Sequence, residues 1–93
     1  MSKTEFIKLN AERYAKAAEV AARVILMDNR FIGLDGLRKP CIERAALIAL
    51  GMPNFPNKPL ADIAVTDPEL SRELNTLIER AAGAAKEKIE QAA

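Results

Sequence analysis

From Lys3 to Met27 the chain contains neither glycine nor proline, and its apolar residues recur at helical intervals. Ile7, Ala11, Tyr14, Ala18, Ala21 and Ile25 follow one another at steps of 4, 3, 4, 3 and 4. Those steps place them on one face of a helix, and a break-free pattern of this length leaves little else to fold into. Ala15 and Ala22 widen the stripe. A second row, Phe6, Ala17, Val20, Val24 and Met27, is expected to add apolar cover. Lys8, Glu12, Lys16, Glu19 and Arg23 take the remaining face, several with opposite signs four residues apart, which supports a helix by a few tenths of a kcal/mol, ~0.2–0.5 per pair. Asp28-Asn29 ends the pattern, and a helix over 3–28 is predicted.

The C-terminal part repeats the design. Thr66-Asp67-Pro68-Glu69 reads as a capping box with a first-turn proline and two acids favoured by the helix dipole. Leu70, Leu74, Leu77, Ala81, Ala84 and Lys88 again step by 4, 3, 4, 3 and 4, with Ile78, Ala82, Ala85 and Ile89 alongside. This predicts a helix over 67–91, weakened at Gly83 by up to ~1 kcal/mol relative to alanine. Between the two, Pro40 suits a helix start and Gly51 a helix end. The intervening CIERAALIAL has only Glu43 and Arg44 as polar residues, so a short helix over 40–50 is expected to be buried on several sides. Residues 29–39 and 52–66 are expected to be loops. The second holds Pro53, Pro56 and Pro59, which favour an extended crossover with at most one helical turn over Leu60–Val65.

No strand pattern competes. The expected fold is all-α: a small bundle in which two long antiparallel helices bracket a short buried helix and a Pro-rich crossover. At 93 residues, with 49% apolar residues but only 4% aromatic, the chain is expected to form one domain over 1–93 with a thin, alanine-rich core. Small side chains on both long helices permit close approach of their axes.

Chemistry is restricted by what is missing. There is no histidine, which removes the usual general base and the commonest metal ligand. One cysteine, Cys41, permits neither an internal disulfide nor a CxxC motif, and its neighbours suggest a small buried hydrophobe. Gly33 and Gly36 make no phosphate-binding loop. No enzyme, metal or cofactor is expected. The start of the chain does not read as a signal peptide, and no apolar run reaches the ~18 residues of a membrane span, so a cytoplasmic protein with no membrane contact is expected. Formal charge is +1, with nine Lys/Arg against six Asp/Glu in residues 1–44 and five against seven in 45–93. That division would favour head-to-tail or antiparallel self-association, although a mixed solvated surface is the commoner reason for an offset this small.

Two sets of residues remain as candidate sites. Phe31, Ile32, Leu34, Leu37 and Phe55 are large apolar residues in expected loops. They either cap the core or form a patch for a partner. Arg30, Arg38, Lys39 and Arg44 surround the first loop and the start of the short helix, a reasonable place for an anion or nucleic-acid contact. Leu60–Ala64 followed by Val65–Leu74 partly resembles a bacterial helix-turn-helix segment. The residues that would finish its first helix and form the glycine turn are missing, however, and Asp67, Glu69, Glu73 and Glu79 outnumber Arg72 and Arg80 on the would-be recognition helix. The expected function is a small non-enzymatic protein-binding regulator or inhibitor, of the kind that phages and mobile elements encode, with a homodimer as the expected state. The alternatives are a nucleic-acid-binding transcriptional regulator using the basic loop, and a structural assembly subunit.

Overall fold

A computed structural model describes residues 2, 5, 8–31, 33–52 and 57–92. Among these, every regular element is helical and none is a strand. The elements are α1 (Ala11–Leu26), two 3-10 turns (Asn29–Phe31 and Asp35–Leu37), α2 (Arg38–Ala49), α3 (Lys58–Thr66) and α4 (Pro68–Ala92).

α1 is shorter than the expected helix over 3–28. Glu5, Lys8 and Leu9 are helical, but Asn10 lies in a turn and α1 begins after it. At the other end the Asp28 side chain takes over as the helix stops. Its Oδ1 accepts from the Arg30 amide at 3.0 Å, while its carbonyl accepts from the Phe31 amide at 2.9 Å. Those bonds set up the first 3-10 turn, an Asx-type arrangement available to a short acidic side chain.

α2 ends as glycine at position 51 predicts. Gly51 has φ of 82°, a left-handed conformation that costs little only without a Cβ. Its amide donates to the Ile48 carbonyl at 3.0 Å and the Met52 amide to the Leu47 carbonyl at 2.7 Å, which together make a Schellman cap.

The expected loop over 52–66 needs correction, because a nine-residue helix, α3, occupies its second half. Asn57 is the reason. Its Oδ1 accepts from the Leu60 amide at 3.2 Å and its Nδ2 donates to the Pro40 carbonyl at 2.9 Å, so one side chain both caps α3 and ties it to the start of α2. Pro59 falls in the first turn, where its missing N–H has no helical partner to lose. Pro53 and Pro56 lie outside the described residues.

The capping box also shifts by one residue. The Leu70 amide donates to Asp67 Oδ1 at 3.1 Å, making Asp67 the cap of α4, while Thr66 is the last residue of α3 and its Oγ1 donates back to the Asp62 carbonyl at 3.2 Å. Proline disfavours the helical region for the residue before it, and Asp67 accordingly lies outside that region, with φ −143° and ψ 84°. A single residue therefore separates α3 from α4.

α1 and α4 run antiparallel. Tyr14, near the start of α1, donates from its hydroxyl to Glu90 Oε1 at 3.4 Å near the end of α4, whereas Arg30, just past α1, pairs with Glu73 near the start of α4. α2 packs against both long helices, and α3 packs mainly on α4. The core is made of columns of buried side chains: Tyr14, Ala18, Ala22 and Leu26 on α1, Cys41, Ala45 and Ala49 on α2, and Leu74, Ile78, Ala82, Ala85 and Ile89 on α4. Both long helices are rotated relative to the stripes expected for them. Ala21 and Ile25 are half-buried, Ala84 and Lys88 are exposed, and of the second row Ala17 is half-buried while Val20, Val24 and Met27 face solvent; Phe6 lies outside the described residues. With so many apolar positions, several stripes satisfy helical spacing, and packing selects one.

Candidate functional site

The described apolar loop residues, Phe31, Leu34 and Leu37, turn toward the core rather than forming a surface patch. Phe31 is 2% exposed and belongs to the core, so it is corrected from a partner contact to a cap on the bundle. Leu34 and Leu37 are half-buried against that same core. The turn geometry directs them there: the Leu34 amide donates to the Phe31 carbonyl at 3.2 Å and the Leu37 amide to the Leu34 carbonyl at 2.9 Å, and the second turn packs on α2. Ile32 and Phe55 lie outside the described residues.

The four basic residues do not converge either. Arg30 is held by Asp28 and Glu73 and its guanidinium stands 5.3 Å from the centre of the Phe31 ring. The hydrogen bonds from Arg30 hold the Asp28 carboxyl below its usual pKa range. Arg38 pairs with Asp35 at 3.0 Å. Lys39 is exposed and Arg44 half-buried. Arg38 and Lys39 line one cleft, of about 640 Å³, together with Glu19 and Glu43. Arg30 lines another, of about 400 Å³, with Arg72, Arg80, Glu69 and Glu73. Carboxylates are built into both clefts, which works against a polyanion.

Cys41 is fully buried. Although it sits near the start of α2, where the helix dipole would lower its pKa, burial raises it to about 11, so the thiol is protonated at neutral pH and is no nucleophile.

The surface that sequence reasoning missed lies on α1. Val20 is 56%, Val24 66% and Met27 73% exposed. Their spacing of four and then three residues aligns them in one ridge. The signal was present in the second apolar row, but it was read as core cover. Beside this ridge, between α1 and α4, runs an apolar groove of about 320 Å³ with Ala17, Val20, Val24, Ala81 and Ala84 in its walls. Arg80 and Lys88 stand on its rim, and no carboxylate is among the described residues that line it. Alanines on the facing helices leave the groove open, since no long side chain fills it.

Among the described residues, no group of three His, Cys, Asp or Glu side chains is placed to hold a metal ion, and no helix is long and apolar enough to cross a membrane. No protein-family model, curated protein or solved structure matches the chain.

Proposed function

We propose that this chain is a non-enzymatic protein-binding regulator or inhibitor, and that it binds through the α1 ridge and the groove beside it rather than through the 29–39 loop. The observation that carries this reading is the exposure of Val20, Val24 and Met27 in one line. Isolated apolar residues on a surface are ordinary, but a contiguous apolar strip flanked by charge is what a protein interface presents. The groove supplies concave shape and its two rim cations supply orientation. A reducing cytoplasm suits a protein whose one thiol is free. The test is affinity capture from an extract of the native host with the wild-type chain and a Val20→Glu/Val24→Glu variant. Both positions are solvent-facing, so circular dichroism should report unchanged helicity. A protein retained by the wild type and lost from the variant is the expected result. Equal retention by both, or no retained protein, overturns the reading.

A further inference from the structure

We infer that the occupant of the α1–α4 groove is a second copy of this chain, inserted head-to-tail through the corner between α3 and α4. The inference rests on the protein-binding reading above and names the partner. It starts from charge. The groove beside the ridge carries Arg80 and Lys88 and no carboxylate among the described residues that line it, whereas in the cleft on the ridge's other side Arg23 and Arg38 are already paired within the chain, with Glu19 and Asp35. Two such grooves set face to face would bring Arg80 and Lys88 of one copy against those of the other. The groove instead calls for an apolar knob flanked by acids.

The chain carries such a knob. Val65, near the end of α3, is 84% exposed, the most exposed large apolar side chain among the described residues. Ala61 and Ala64 are exposed on the same short helix, and Asp62, Asp67 and Glu69 around them are exposed and acidic. The exposed turn from Ala61 to Thr66 is about 8 Å long, against about 12 Å between the levels of Arg80 and Lys88 on α4. Small groove walls at Ala81 and Ala84 admit a branched side chain, while Asp62 and Asp67 come within range of the rim cations. The apolar insertion supplies affinity, and the charges set orientation and register.

No molecule can fill its own groove in this way. Asp67 and Arg80 are separated along one continuous helix by about 20 Å, so the corner of one copy reaches only the groove of another. Each copy then offers one knob and one groove, a heterologous contact that propagates into a ring or an open chain.

The decisive experiment uses the purified chain, light scattering over a concentration series, and two variants. Val65→Lys spoils the knob and leaves the groove. Val24→Glu spoils the groove and leaves the knob. Wild type is expected to self-associate progressively, each variant alone to do so at least about tenfold more weakly, and an equimolar mixture of the two to form a pair that grows no further. A wild type that stays monomeric throughout overturns the inference while leaving the protein-binding reading to its own test in host extract. Association that survives Val65→Lys but not Val24→Glu, or the reverse, also overturns it, because a head-to-tail contact needs both surfaces. Failure of the mixture to form the limited pair does the same.

Discussion

Phe31 shows how a single residue changes meaning between chain and fold. It follows a helix stop signal and precedes a glycine, which in sequence is a loop address. In the structure it is 2% exposed, with Arg30 over its ring and Asp28 holding the turn that delivers it. Replacing Phe31 with alanine is therefore expected to remove about 3–5 kcal/mol of stability, read as a lower midpoint in urea. A change within about 0.5 kcal/mol, the range of ordinary surface substitutions, would place the ring outside the core. Cys41 gives the complementary lesson. Its position near a helix start would by itself lower the thiol pKa, but burial outweighs the dipole and the thiol stays protonated. That outcome was legible from its apolar neighbours.

Among the elements, α3 is the one the sequence disclosed least, as no more than a single helical turn over Leu60–Val65. Three prolines at regular spacing favour an extended path, but the third, Pro59, sits in the first turn of α3, which Asn57 caps and ties to the Pro40 carbonyl. The cap on Leu60 is local, three residues away, and an asparagine two residues before a proline is a helix-start signal, whereas the tie to Pro40 spans 17 residues and no local pattern announces it. The start of α4, by contrast, was visible to within one residue. Asp67→Ala is expected to cost about 1 kcal/mol through loss of the cap, whereas Thr66→Ala should cost clearly less, since Thr66 only donates back into α3. Chemical denaturation of the two variants side by side checks the assignment, and a larger loss for Thr66→Ala would restore the capping box at Thr66.

For the whole molecule, thinness is the governing property. The chain measures 43 × 24 × 17 Å, and its accessible surface of 6168 Å² exceeds the roughly 5,300 Å² that size scaling gives a chain of this mass. The long helices lie close because alanines occupy their contact, at Ala18, Ala22, Ala82 and Ala85. Enlarging one of them forces the helices apart. Ala18→Leu is expected to destabilise by about 1–3 kcal/mol, while Val20→Leu on the solvent side should change stability by no more than about 0.5 kcal/mol. Thermal unfolding of both variants tests the spacing, and equal behaviour would remove the close alanine contact from the account of the fold.

Sequence alone determined that this chain is helical, where α2 ends, where α4 begins to within a residue, and that alanine would line the contact between long helices. Those properties are local: they follow from spacing, from proline and glycine geometry, and from side-chain size. Tertiary structure decided which of several permissible stripes faces inward. A helix carrying valine and methionine on one flank and alanine and tyrosine on another satisfies helical spacing either way. The inward stripe of α1 is Tyr14, Ala18, Ala22 and Leu26 because three helices must meet there at short range, which small side chains permit and a row of Val20, Val24 and Met27 does not. What was left facing solvent is the surface on which the proposed function rests.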